Sequence, residues 1–210
     1  MRFRRIVPVF GKAAVPWLLE GLLIVLSVVL GFWVSQVQSA RADRELAARV
    51  LTSVHDEITY NVALLDPYLG MHGQWTAKLK QEAAETGTQA AFDVFMRTRP
   101  PLPASGTPFP VLRRSAWDAA LAGGTIRLFD HDVAAALSGV YRWQQIVDDN
   151  IQRLTRGPFG AATTFDPDNR TPSLKLLWLT MADIQSSEEM LAASYRRHAP
   201  AVRAAIDPSH

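Results

Sequence analysis

The sequence predicts an all-α protein in which an N-terminal transmembrane helix continues into a long stalk helix, packed with a small helical bundle. Three observations carry that reading. The stretch from Pro16 to Gln38, PWLLEGLLIVLSVVLGFWVSQVQ, is nearly pure hydrocarbon with a single acid, Glu20, inside it. Beyond it, apolar residues recur at intervals of three and four, which is the helical period. No segment shows sustained apolar–polar alternation flanked by hairpin turns.

Residues 1–15 form a basic tail, and 16–38 are the expected span. From Trp17 to Val37 is 21 residues, and a helix of that length reaches about 30 Å, the thickness of the hydrocarbon core of a bilayer. Trp17 and Trp33 stand near its ends, where indole rings favour the membrane interface. The lipid bilayer is therefore the first expected partner. The competing reading is a signal peptide cleaved after Ser39, but the apolar region of such a peptide runs only about 7–15 residues. Arg2, Arg4, Arg5 and Lys12 precede the span, against Arg41, Arg44 and Arg49 after it. The excess places the N-terminus in the cytoplasm and the C-terminal domain outside the inner membrane, in the periplasm of a Gram-negative cell.

Residues 39–99 are expected as stalk helices, striped by Leu51, Val54, Ile58, Val62, Leu65 and Leu69. Asp66-Pro67 reads as an N-cap followed by a proline at the first helical position, so the helix should break or kink there, restart, and end at Gly87. A short helix around Ala90 to Met96 comes after it. Five prolines then fall between Pro100 and Pro110; they remove backbone donors and make 100–110 an exposed, extended connector. The remainder, 111–206, belongs to the same domain as a helical bundle. It opens with a short helix stopped at Gly123-Gly124. A long helix capped by Asp130 comes next, with a stripe from Val133 to Leu154. A last helix opens at Thr171-Pro172, is striped from Leu174 to Tyr195, and is interrupted at Pro200.

The apolar share, 48 %, supplies an ordinary core for one modest domain. Residues 1–40 hold four cations against one acid, a net of +3, which leaves 41–210 at −1. The basicity belongs to the membrane flank, so the soluble part lacks the positive excess that would hold phosphates, and nucleic acid is not an expected partner. The absence of cysteine removes disulfides, thiolate nucleophiles and Cys-type zinc sites.

No catalytic, cofactor-binding or metal-ligating set is expected, and no cofactor. In His55-Asp56-Glu57 successive side chains point about 100° apart on a helix and cannot share a ligand sphere; a solvated helix face explains them. In Asp130-His131-Asp132 the acids suit a helix N-terminus. FDPDNRT offers Asp166, Asp168 and Asn169, yet Thr171 and Leu177 stand where a calcium loop needs Gly and Glu. There is no HExxH pair, no phosphate-binding glycine loop after a strand and no GxSxG elbow.

Two subtler patterns remain. Asn61, Gln144 and Glu188 each fall on a position that the three-four spacing would bury, either as a polar layer fixing helix register or as members of the stripe edges. Within the span, Ser27, Gly31 and Ser35 lie about −20°, +20° and +60° around the wheel from Glu20. Their small-xxx-small spacing suits close helix–helix association with a second copy or another membrane protein. The alternative is that Glu20 reaches toward the headgroups.

The run EGLLIVLSVVLGFWV from Glu20 to Val34, flowing into ARADRELAARVLTSVHDEI, resembles the anchor of uncharacterised bacterial single-pass membrane proteins with a small helical domain. The stretch AWDAALAGGTIRLFDHDVAAALSGVY, with Trp117, Gly124 and Tyr141, is similar to the part of those proteins beyond the anchor. The resemblance implies a membrane protein of unknown function and transfers no catalytic residue. The expected role is an interaction or scaffold component of the cell envelope and not an enzyme; the alternatives are an enzyme with a helical-cleft active site and a secreted helical protein.

Overall fold

The computed structural model describes residues 14–206, so the cations of the basic tail lie outside the described residues. The described chain is helical and contains no strand. Its α-helices are α1 (Ala14–Ala84), α2 (Ala91–Thr98), α3 (Ser115–Ala122), α4 (His131–Arg156) and α5 (Arg170–Ile206). Single 3-10 turns succeed α3 and link α4 to α5.

The chain divides into two units, Met1–Leu46 and Ala47–His210. The first consists, where described, of the beginning of α1. It carries a segment long and apolar enough to cross a membrane. No side chain from Leu19 to Val34 is buried, and Trp17 and Trp33 are 76 % and 62 % exposed.

In the second unit α1, α4 and α5 form the core, with α2 and α3 laid against it. Contacts between Asn61 and Tyr195, His72 and Glu188, and Glu82 and Arg170 run in opposite directions along α1 and α5, so these helices are antiparallel. Asn150–Ser187 and Tyr195–Gln144 show the same for α4 and α5. Two apolar clusters fill the interior. One gathers Leu51, Val54, Ile58, Leu65, Leu137, Val147 and Leu191. The other gathers Trp75, Leu79, Phe95, Leu154, Leu174, Met181 and Ile184. Each such side chain stabilises the fold by about 1.5–3 kcal/mol relative to exposure.

The segment expected as stalk helices thus supplies buried core from Ala47 onward. It also differs from expectation at Pro67. Helix α1 runs through this residue without ending, because Leu65 and Tyr68 beside it are fully buried and hold the helical register while the proline ring faces solvent. Pro200 likewise lies inside α5: the fully buried Val202 and the partly buried Ala205 and Ile206 behind it keep the chain helical to Ile206. The local stops hold elsewhere. Asp130 caps α4 by accepting from the Asp132 amide at 2.9 Å, and Gly124 takes φ +65°, a left-handed conformation that a side chain disfavours.

Candidate functional site

The connector between α2 and α3 is stitched along one face of α1. Glu57, Asn61, Tyr68 and His72 fall within about 60° of each other around that helix, and each holds the chain between Ser105 and Ala116. The Tyr68 hydroxyl meets Thr107 Oγ1 at 2.8 Å, and His72 Nε2 donates to the Pro108 carbonyl at 2.8 Å. The Asn61 amide takes both backbone groups of Arg113: its Oδ1 accepts from the amide at 2.8 Å, and its Nδ2 donates to the carbonyl at 2.7 Å. Glu57 Oε2 accepts from the Ala116 amide at 2.8 Å, satisfying an orphan donor at the start of α3. Its Oε1 accepts from the Tyr141 hydroxyl at 2.6 Å. Glu57 is therefore buried and does not belong to a solvated face, because the N-terminus of α3 is delivered to it. Burial and the neighbouring Glu57 carboxylate hold the Tyr141 hydroxyl well above the usual tyrosine range.

The proline-rich segment is accordingly exposed only in part. Ala104 to Thr107 face solvent, whereas Pro100 and Pro110 are buried and Phe109 packs 5.3 Å from the His72 ring. Both flanks are pinned by side chains that local sequence does not connect to them.

Between the two apolar clusters lies a polar layer. His72 Nδ1 and Glu188 Oε2 are 2.7 Å apart with neither side chain exposed. A carbonyl only accepts, so the Nε2 contact to Pro108 fixes a proton there, and a second proton is shared between Nδ1 and the carboxyl. Burial pushes the Glu188 carboxyl above its ordinary range, and the hydrogen bond to His72 opposes that rise. Among the described residues, Glu188 Oε1 has no partner. From α4, Asn150 Nδ2 donates to Ser187 Oγ at 3.1 Å in the same layer.

A cleft of about 470 Å³ opens between the connector and α4. Phe109, Val111, Leu112 and Ile151 form its apolar walls, and Arg114, Gln145, Asp148 and Gln152 supply polar groups. Arg114 is held by Asp118 through Nε at 3.0 Å and by Gln145 through Nη1 at 2.8 Å. Burial raises the Asp148 carboxyl, and the Arg114 charge partly offsets this. Among the described residues, no donor reaches the Asp148 carboxylate.

The residues singled out from sequence separate into three places. Asn61 and Gln144 are brought together, both fully buried: the Tyr195 hydroxyl accepts from Asn61 Nδ2 at 3.2 Å and donates to Gln144 Oε1 at 3.1 Å. Gln144 Nε2 also donates to the Arg113 carbonyl at 3.1 Å. Glu188 is equally buried but joins His72 instead. Glu20, Ser27, Gly31 and Ser35 are exposed on α1, and the Ser27 hydroxyl donates within the helix to the Leu23 carbonyl at 2.7 Å. Sequence reasoning missed Glu57, Tyr68, His72, Arg114 and Asp148. For the first three the signal was available in their shared helical face with Asn61. For the last two there was none, since the cleft exists only where the connector crosses α4. Among the described residues, no group of three metal-capable side chains converges. No protein-family model, curated protein or solved structure matches the chain.

Proposed function

We propose that this protein is a single-pass component of the bacterial inner membrane whose helical domain serves as an interaction or scaffold module, with its N-terminus in the cytoplasm and the domain on the periplasmic side. The observation that carries the reading is the apolar start of α1, where every side chain from Leu19 to Val34 lacks burial within the chain and needs lipid or another helix as its surroundings. The four cations before the span support the orientation. The 21-residue apolar segment from Trp17 to Val37 exceeds the roughly 7–15 residues of a signal peptide's apolar region, which supports retention of the anchor over cleavage after Ser39.

The non-enzymatic half of the reading rests on how the buried ionisable groups are used. Glu57, His72 and Glu188 hold the connector and the helix register, and His72 spends both ring nitrogens on the protein itself. The test is cross-linking in native membranes combined with a reporter fused after His210. Alkaline phosphatase should be active in the fusion, the chain should remain with membranes under alkaline extraction, and a specific membrane or periplasmic protein should cross-link. An inactive phosphatase with an active cytoplasmic reporter overturns the orientation, and a chain shortened by the first 39 residues overturns the anchor.

A further inference from the structure

The cleft beside the connector presents, above an apolar wall, a carboxylate without a hydrogen-bond donor among the described residues and a guanidinium that is ion-paired with Asp118 yet keeps donors to spare. Asp148 is half-buried on α4 and, among the described residues, accepts no hydrogen bond. Arg114 lies at the start of α3, its Nε and Nη1 fixed by Asp118 and Gln145. That leaves Nη2 without a hydrogen-bond partner among the described residues, so the guanidinium is held in place and still has donors to offer. Phe109, Val111 and Ile151 complete the cleft, and Val111 is 76 % exposed on the connector although it is a large apolar side chain. A volume of about 470 Å³ falls in the range of small-molecule sites, which run roughly 300–1,000 Å³ with a few polar groups set in apolar walls.

We infer that this cleft binds a small amphoteric molecule, one carrying a protonated amine for Asp148, a carboxylate for Arg114 and an apolar body for the wall of Phe109, Val111 and Ile151. A simple cation would engage Asp148 alone and leave the spare Nη2 donors of Arg114 unmet. A simple anion is disfavoured by Asp148. A zwitterion satisfies both groups at once and brings a charged donor to the half-buried carboxylate. Apolar amino acids and short apolar peptides share this chemistry. The site is independent of the anchor and of membrane orientation, since all its residues lie in the second unit.

The test is calorimetric titration of the full chain in detergent micelles with L-leucine and with the dipeptide Leu-Leu, using butylamine and isovalerate as probes bearing one charge each. Saturable binding of leucine or Leu-Leu, with both single-charge probes at least about tenfold weaker, is expected. Preference between leucine and the dipeptide tells which source the cleft fits. Asp148→Asn should weaken the better ligand by at least about tenfold while still unfolding cooperatively and at neutral pH no earlier than the parent, because the carboxylate holds nothing in the fold. No saturation by either amphoteric probe up to about 10 mM overturns the inference. So does butylamine or isovalerate binding as tightly as the amphoteric ligand, or Asp148→Asn binding unchanged.

Discussion

His72 and Glu188 meet at 2.7 Å with neither side chain exposed, at the level where the two apolar clusters of the bundle abut. Leu65 and Trp75 flank the histidine on α1, and Ile184 and Leu191 flank the glutamate on α5. A slip of one helical turn would place either polar group against hydrocarbon, so the pair discriminates against wrong registers. Removing one partner leaves the other buried and unpaired, and Glu188→Ala should cost about 3–5 kcal/mol. The double variant His72→Leu, Glu188→Leu should be more stable than the two single costs added together. Thermal unfolding in detergent, followed by circular dichroism, measures both; strict additivity would show that the pair is not coupled.

Asn61 serves four groups at once: the amide and carbonyl of Arg113, the Tyr195 hydroxyl and, through that hydroxyl, Gln144. Asn61→Ala leaves these buried partners short of hydrogen bonds and should cost about 2–4 kcal/mol. The same assay should show a fall in melting temperature of roughly 4–16 °C. Asn61→Asp keeps the acceptor for the Arg113 amide but loses the donor for its carbonyl, and should also melt below the parent.

Asp148 gives the domain a pH dependence of predictable sign. Burial raises its folded pKa above the unfolded one, so between those values the native state holds more protons than the unfolded state. Its contribution to stability is complete below the ordinary aspartate range and diminishes as pH rises through the raised value. Asn at this position does not titrate. The melting temperature of Asp148→Asn relative to the parent should therefore increase from about pH 4 to about pH 7. A difference that stays flat or falls over that range contradicts the assignment.

The helical class and most of the core stripe are readable because burial follows the three-four spacing: Leu51, Val54, Ile58 and Leu65 are buried, whereas Val62 and Leu69 of the same stripe are only partly buried. Asp130 and Gly124 act through their own neighbours, so their roles are equally legible. Pro67 and Pro200 defeat the local rule, which sees only a lost amide, whereas packing of Tyr68 and Val202 decides the outcome. The use of Glu57 is hidden for a related reason. A carboxylate becomes a helix cap for α3 only after some sixty residues of chain return to it. The cleft needs two elements brought side by side, and no single stretch announces it.

The connector should be the first site of proteolysis. Ala104 to Thr107 are exposed and Gly106 takes φ +72°, while both flanks are pinned to α1. Limited digestion should cut within 104–107 before any helix. Tyr68→Phe removes the hydroxyl that meets Ser105 and Thr107, so it should speed that cut without moving it. First cleavage within α4 would mean that the bundle opens more readily than the connector.

Gly31 decides between the two readings of Glu20. A Cβ built at Gly31 meets nothing within 4 Å, so Gly31→Leu is tolerated by the chain itself, and any loss of association must arise at a neighbouring helix. If Ser27, Gly31 and Ser35 form a seam, the added side chain forces the backbones apart. The Ser27 hydroxyl proton is already committed to the Leu23 carbonyl, which leaves close backbone contact and Glu20 as the main contributors to such a seam. We expect Gly31→Leu to abolish association in a two-hybrid assay for membrane helices, and Leu30→Ile, on another face, to leave it intact. Glu20→Gln should retain part of the signal, since an amide still hydrogen-bonds across helices. Equal association of the parent and Gly31→Leu would assign Glu20 to the headgroup region instead, reaching out of the hydrocarbon from one turn beyond Trp17.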